Sequence, residues 1–321
     1  MARKTLSPIV VLEPVMASPV MRAFDRVLRA VAPKHVTVTF VGESGAGKEV
    51  MARRLHDLSP RCSGPFVPIN CAAIPDALFE SELFGHERGS FTGAMERGHG
   101  KVEMAAGGTL FLDEVAEMPL ALQPKLLRFL ETHRFMRLGG TKKLEVDVRV
   151  VLATLRPLED EVRAGRFRED LYFRIQGITL TVPPLRERRR DIPTLIDAFV
   201  AQLSAIHDCV PPKLTRKAWT TLVAHGWPGN VRELRNVIEF VTILRSGKPV
   251  RVQDLPPGLH RALESQRSID AAALELDLDR PLAQIIDRVI DHIVALELGN
   301  LTRAAKRLGV SVRTLQRRRR A

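Results

Sequence analysis

Cysteine is scarce. Three residues in 321, Cys62, Cys71 and Cys209, stand apart and none forms a CxxC pair. A disulfide framework is therefore excluded, and the thiols read as reduced, in a cytoplasmic protein. No apolar run approaches the ~20 residues that a helix needs to cross a bilayer, which excludes a membrane span. Met1–Ser18 carries Arg3, Lys4 and Glu13 and lacks the apolar core and cleavage site of a secretory leader. Acid is missing altogether from the last 22 residues, Asn300–Ala321, which hold eight of the lysines and arginines. The whole chain has a net charge of +12, so two-thirds of that excess sits at one end. A solvated face normally mixes signs; a basic end of this kind points to a polyanion partner.

What is present is the balance of a globular protein, 45% hydrophobic and 27% charged. At roughly 100–200 residues per domain the length predicts two or three domains. Val36–Val41 is β-branched and runs into a glycine-rich turn. Leu110–Leu112, Val146–Thr154 and Gly177–Val182 read as further strands. Helix-length segments lie between or beside them at Glu49–Leu58, Pro119–Thr132 and Pro157–Ala164. That alternation predicts an α/β fold with a parallel sheet. After Pro183-Pro184 the strands are expected to stop, and Asp191–Ile206, Thr215–His225 and Asn230–Arg245 read as a helical subdomain. Leu282, Ile285, Ile286, Val289, Ile290, Ile293 and Val294 recur with helical spacing. No internal repeat is present.

Six groups of residues carry chemistry. Gly42-Glu43-Ser44-Gly45-Ala46-Gly47-Lys48-Glu49 follows a strand and opens a helix. In that setting backbone N–H groups wrap phosphates, the helix N-terminus adds positive potential, and Lys48 reaches the β- and γ-phosphates. Glu49 stands where Ser or Thr usually helps to hold Mg²⁺. Asp113 and Glu114 end an apolar run 65 residues beyond Lys48. There Asp113 is suited to holding Mg²⁺ and Glu114 to orienting or polarising the attacking water. Gly89-Ser90-Phe91-Thr92-Gly93-Ala94 places one aromatic between glycines in a polar loop, either a mobile tip presenting an apolar contact or a ring tucked into the core. Arg168 and Arg174 are placed to act on a neighbouring subunit's γ-phosphate, or to pair with Glu169 and Asp170. Arg232 follows a Trp227-Pro228-Gly229 turn with Asn230 as the expected N-cap; it reaches a bound nucleotide or pairs with an acid. At the C-terminus Thr302 is expected to cap a short helix, Gly309 to end it and Ser311 to cap the next. Ala305 permits a close crossing, with Leu308, Val310 and Leu315 as shared core. This is a helix-turn-helix whose Arg303, Arg313, Thr314, Gln316 and Arg317 are candidate DNA contacts.

Together these motifs resemble the AAA+ activators of sigma-54 RNA polymerase, the enhancer-binding proteins of the nitrogen-regulator class. The resemblance runs from about Val20 to Ala321, and its most specific element, Gly89–Ala94, is similar to the family's sigma-contacting GAFTGA loop with Ser90 for the first Ala. It implies an AAA+ α/β ATPase (16–183), a helical lid (184–257), a linker (258–280) and a Fis-type DNA-binding domain (281–321), after a short extension (1–15). It implies ATP and Mg²⁺ as ligands. Upstream DNA, sigma-54 RNA polymerase and further copies of the chain in a ring, a hexamer, are the implied partners. It also implies that Asn70 couples nucleotide state to Glu114, that Arg168 and Arg174 act in trans, and that Arg232 is the second sensor. Within this family Glu49 is the usual residue after Lys48. Two departures stand out. Leu155 follows Thr154 where the family has Asn, the first γ-phosphate sensor. Only some twenty residues precede the ATPase, so control is expected through a separate protein in trans, through expression level, or not at all. The rival readings are an ATP-binding DNA regulator with weak turnover and another DNA-remodelling AAA+ protein.

Overall fold

In the computed structural model, residues 14–91, 94–259, 281–297 and 300–315 are described. The chain divides into two compact units. One comprises Met1–Leu214 with Gly226–Val250, and the other Thr215–His225 with Arg251–Ala321.

In the first unit, Ser18 caps helix α1 (Pro19–Val31), its hydroxyl accepting the Met21 N–H, with Pro19 in the first turn. Strand β1 (Val38–Val41) leads through the glycine-rich turn into α2 (Lys48–Asp57). Next come β2 (Phe66–Asn70), α3 (Asp76–Phe84) and the short antiparallel pair β3 (Gly85–His86) and β4 (Gly98–His99). A single-turn α4 (Lys101–Met104) precedes β5 (Thr109–Asp113) and α5 (Gln123–Thr132). A second small hairpin, β6 (Arg134–Phe135) with β7 (Leu144–Glu145), precedes β8 (Arg149–Thr154). Then α6 (Leu158–Arg163), α7 (Glu169–Ile175) and β9 (Ile178–Thr181) complete the α/β part. The sheet order is β2-β5-β8-β1-β9, all parallel.

Alternation decides which residues go to which face. Leu110, Leu112, Val150 and Leu152 join Phe79, Leu83, Leu126, Phe129 and Leu171 in one core. Phe111, Val151, Ala153, Val38 and Phe40 join Met21, Leu28, Met51 and Leu55 in the other. A parallel sheet covered on both faces needs near-continuous apolar strands, as these are. The four expected strands form: β1, β8 and β9 start one to three residues later than the apolar run, and β5 one residue earlier. Strand β2 was not expected: its Pro68 and its mostly half-buried or exposed residues suit an edge strand.

Beyond Pro184 the structure differs from a purely helical reading. Strands β10 (Lys213–Leu214) and β11 (Pro249–Val250) pair in parallel, too short to leave a periodic trace. Helices α8 (Ile192–Ile206) and α10 (Asn230–Leu244) pack together through residues such as Ile196, Phe199, Leu203, Leu234, Ile238 and Val241. The Ser18 N–H and hydroxyl both donate to the Asp191 carboxylate, at 2.6 and 3.1 Å, tying the start of α1 to the start of α8.

In the second unit, Thr215 caps α9 (Arg216–Ala224). Helix α11 (Leu282–Leu296) packs on α12 (Leu301–Leu308), burying Ile290, Val294, Ala304, Ala305 and Leu315. Two details correct the sequence reading. Asn300, not Thr302, caps α12, its carboxamide oxygen accepting the N–H groups of Thr302 and Arg303 at 3.1 Å. Val310 is 42% exposed, and Val312 packs against the core in its place. Gly309 ends α12 and Ser311 caps the following turn through the Thr314 N–H, as expected. The expected linker lies outside the described residues apart from 258 and 259, as do the extension up to residue 13, Thr92, Gly93, Gln316 and Arg317. Among the described residues no helix is long and apolar enough to cross a membrane.

Candidate functional site

Parallel register brings the C-terminal ends of β1, β5 and β8 to one edge. Val41 pairs with Thr154, and Leu152 with Leu112. The glycine-rich turn, the Asp113-Glu114 pair and Leu155 therefore converge, although they are spread over 113 positions from Gly42 to Leu155. Lys48 is 6% exposed; its Nζ donates to the Gly42 carbonyl at 3.0 Å and reaches Glu114 Oε1 at 3.4 Å. The other Glu114 oxygen accepts the backbone N–H of Leu155 at 3.0 Å. Glu114 sits at φ +53°, a left-handed conformation that is costly for a non-glycine residue. Asp113 caps the Glu114 N–H at 3.1 Å. Burial first, and then the neighbouring Glu114 charge, raise the Asp113 carboxyl above its ordinary range. The same desolvation, with Asp113 and Glu114 beside it, pushes the Cys71 thiol up to about 12 and keeps it unreactive.

The turn fits a phosphate tail. Gly47 has φ +99°, and a side chain there would meet open space rather than protein. Gly45 is constrained differently: a Cβ on it would lie 2.4 Å from the Gly229 carbonyl. Its own carbonyl accepts the Val231 N–H at 3.0 Å, so the start of α10 is seated directly on the turn. Lys48, Asp113, Glu114 and the open cradle have the chemistry that could hold a nucleotide with a divalent cation. Glu49 lies in the first turn of α2, next to Lys48.

A clasp fastens that seat, and the sequence did not reveal it. Arg186 grips Glu43 with both guanidinium nitrogens at 2.6 and 2.7 Å. The Asn230 amide donates to Glu43 and to the Ser44 carbonyl, while its oxygen accepts the Leu185 N–H at 2.8 Å. Asn230 is thus not the N-cap of α10; Gly229 holds that position, and its N–H is taken by Glu233. Arg232 donates to the Ser44 hydroxyl at 2.9 Å. The buried Arg188 guanidinium holds the Ala46 carbonyl.

Arg186 foremost, then Asn230, holds the Glu43 carboxyl down at about 2 against an ordinary 4.5. A depressed acid stabilises the fold above its unfolded value and loses that contribution as pH falls through the folded one. The clasp should therefore weaken between about pH 4.5 and 2. Glu43→Gln is expected to shed that part of the acid limb while Glu103, also brought to about 2, keeps its own. Thermal midpoints measured across this window check the assignment; identical slopes in variant and wild type would refute it.

Asn70 ends β2 in register with Asp113, and its side chain accepts the Ala72 N–H at 3.0 Å. The structure does not bring it onto Glu114. Arg168 pairs with Asp170 at 2.7 Å, and its backbone N–H is held by the buried Gln123. Arg174 donates to the Leu130 carbonyl at 2.9 Å. Among the described residues neither arginine bonds to the phosphate turn.

The Gly89–Ala94 loop closes on itself through Gly89 N–H to the Ala94 carbonyl at 2.8 Å and Ala94 N–H to the Phe91 carbonyl at 3.0 Å. Phe91 is 38% exposed, edge-on to the His86 ring at 5.0 Å, and outside both cores. The β6–β7 hairpin braces the base of the loop. Arg137, nearly buried, pairs with Glu87 at 2.8 Å and with Glu103. A Cβ on Gly139 would come within 2.7 Å of the Ser90 Cβ. Arg303, Arg313 and Thr314 are exposed on the basic helices.

Three domain families match: the Sigma-54 interaction domain over residues 15–181, the AAA+ ATPase lid domain over 186–272, and the Fis family of bacterial regulatory proteins over 288–321. The chain is 42% identical over 299 residues to the regulatory protein AtoC of Escherichia coli, covering 93% of this chain and 65% of AtoC. It is 41% identical to the transcriptional regulatory protein FlbD of Caulobacter vibrioides, covering 94% of this chain and 68% of FlbD. The crystal structure of NtrX from Brucella abortus in complex with ATP superposes with a TM-score of 0.72 at 36% identity, covering 96% of this chain and 68% of that one. The chain thus spans about two-thirds of the length of these relatives. With all three domains matched in order, it belongs to the family of sigma-54 transcriptional activators built from an AAA+ domain, its lid and a Fis-type helix-turn-helix.

Proposed function

We propose that this chain hydrolyses ATP in a ring, a hexamer, and uses the energy to remodel the sigma-54 RNA polymerase closed complex from an upstream DNA site. In this reading residues 16–183 and 184–257 are the ATPase and its lid, and 281–321, beyond a 258–280 linker, hold the chain on DNA. The observation that carries it is Phe91: a half-exposed ring on a braced loop, in a chain that also assembles Lys48, Asp113 and Glu114.

The chemistry follows from the site. The glycine-rich turn wraps the phosphates and Lys48 leaves Glu114 to neutralise them. Asp113 and the turn would hold Mg²⁺, which withdraws charge from the phosphates. Glu114 takes the proton of the attacking water as the β–γ bond breaks. Asn70 would have to release Ala72 to reach Glu114, and such an exchange would report nucleotide state. Arg232 would trade Ser44 for the nucleotide, carrying the lid with it. Arg168 and Arg174 serve a neighbouring subunit, which requires a heterologous interface that closes into a ring. Arg303, Arg313, Thr314, Gln316 and Arg317 contact DNA. In vitro transcription from a sigma-54 promoter, with ATP and with a non-hydrolysable analogue, tests the reading; open complexes formed equally with both would defeat it.

Leu155 favours a second reading, slow turnover. Its side chain is 44% exposed and apolar, and only its backbone serves Glu114. Leu155→Asn keeps that N–H and adds a polar group at the sheet edge. Turnover is expected to rise by up to about one charged hydrogen bond's worth, ~1.5–3 kcal/mol at most. Lower turnover in a folded variant would mean that leucine is adapted to this site.

A further inference from the structure

A cavity of about 480 Å³ opens at the opposite end of the sheet from the phosphate turn. Its walls are the residues before β1, the starts of β8 and β9, and the ends of α5 and α7. A six-residue strand is about 20 Å long, so the two sites are distinct. The charged lining is one-sided. Arg61, Arg149 and Arg174 face a single carboxylate, Asp147, with His35 and His133 beside them.

Two of these cations are buried and incompletely used. Arg149 is 5% exposed; it donates to the Ala32 carbonyl at 2.6 Å and to Val31, while its Nε has no partner. Arg61 is 9% exposed, pairs with Asp147 and approaches His35 Nδ1 at 3.4 Å, and its Nε is likewise unsatisfied. A buried donor without an acceptor is costly, and a buried guanidinium without a counter-ion more so. Burial and the nearby Arg61 charge bring Arg149 down to about 10, as expected where no anion sits close. No acid in the lining is placed to supply the missing charge except Asp147, which is already committed to Arg61 and faces solvent.

We propose that this cavity binds a small phosphate-bearing anion, through Arg61 and Arg149 with Arg174 and His133 completing the wall. Three guanidinium groups against one carboxylate leave an excess of two positive charges, counting arginines and acids alone. A phosphate monoester carries about −1.5 to −2 near neutral pH and offers three oxygens, whereas a carboxylate supplies one charge and two oxygens. Planar guanidinium forks suit such a group. The volume lies within the 300–1,000 Å³ range of small-molecule sites and exceeds what a bare phosphate fills, so the organic part of an ester fits beside it. Because Arg174 is in the wall, a bound anion would also restrain an arginine that the proposed ring chemistry uses; only that link rests on the proposed function.

Titration calorimetry on the full chain carrying Lys48→Ala tests the site with the phosphate turn disabled. The probes are inorganic phosphate and ribose 5-phosphate at low salt. One-to-one binding on the order of 1 mM or tighter is expected. Arg61→Gln and His133→Ala, each verified as folded by circular dichroism, should weaken it about tenfold, and Arg61→Lys should restore part of it. Tighter binding of the ester than of phosphate would identify an esterified ligand, and equal binding an inorganic one; either supports the site. Absence of binding, or binding indifferent to both Arg61→Gln and His133→Ala, would overturn it. So would occupancy seen only in assembled rings, which would assign the cavity to subunit contact. None of these outcomes depends on ATP hydrolysis or on sigma-54, so failure here leaves the proposed function standing, and the converse holds.

Discussion

Glu114→Gln should bind ATP and leave it intact. The substitution keeps the length and shape of the side chain, so the amide oxygen can still accept the Leu155 N–H that now holds Oε2 at 3.0 Å. It removes the negative charge that lies 3.4 Å from Lys48 Nζ, which frees the lysine for phosphate. What it cannot do is accept a proton from water. General-base catalysis contributes about 10²–10⁴ in rate, and turnover is expected to fall by that factor while nucleotide affinity holds or rises. Lys48→Ala is the contrasting variant. Nucleotide binding itself should fail there, because the phosphates lose their nearest cation. Measured side by side, equilibrium binding and phosphate release separate the two; Glu114→Gln turning over at the wild-type rate would remove Glu114 from the mechanism.

Phe91→Ala should abolish promoter opening and spare almost everything else. A ring packed in the core would cost roughly 3–5 kcal/mol on truncation to alanine. Phe91 is 38% exposed and touches the His86 ring from outside both cores, so the stability loss should stay near about 1 kcal/mol. The supports of the loop do not involve the ring. Arg137 with Glu87 and Glu103, Gly139 against Ser90, and the Gly89–Ala94 backbone closure remain when the ring is removed. ATP hydrolysis, ring assembly and DNA binding should therefore persist. Binding to sigma-54 with a transition-state analogue, and open-complex formation, should be lost, because a contact available in only one nucleotide state is how hydrolysis is coupled to work. A fall of several kcal/mol in stability together with loss of ATPase would place the ring in a structural role instead.

Several features needed no tertiary structure to be read. The phosphate turn is local: its glycines, the strand before it and the helix after it occupy twenty consecutive residues, 38–57. The two-faced apolar strands β1, β5 and β8 announce a covered parallel sheet. The basic C-terminus with its Gly309 stop and Ser311 cap reads as a helix-turn-helix from spacing alone. Each of these signals is a short-range pattern, and short-range patterns survive in one dimension. Where the local reading slipped at this helix, a neighbour two residues away was the reason: asparagine is the stronger cap, and Asn300 takes the N–H groups of Thr302 and Arg303, so the helix starts two residues earlier than a Thr302 cap would set it.

The tertiary structure decided what depends on which strand lies beside which. Sheet order puts β8 between β5 and β1, so Leu155 offers its backbone, not its side chain, to Glu114; no sequence pattern distinguishes those outcomes. The Glu43–Arg186–Asn230 clasp joins residues up to 187 positions apart. Arg137 meets Glu87 and Glu103 only because two minor hairpins are held against each other. The cationic cavity gathers residues from His35 to Ile178 that share no motif. Periodicity encodes the direction in which a residue is buried, and that much the sequence alone determined. It does not encode the partner found there, because a charged or amide side chain on a loop satisfies the same local rules whichever distant group it meets; chain topology makes that choice by paying the loop-closure entropy once for the whole sheet.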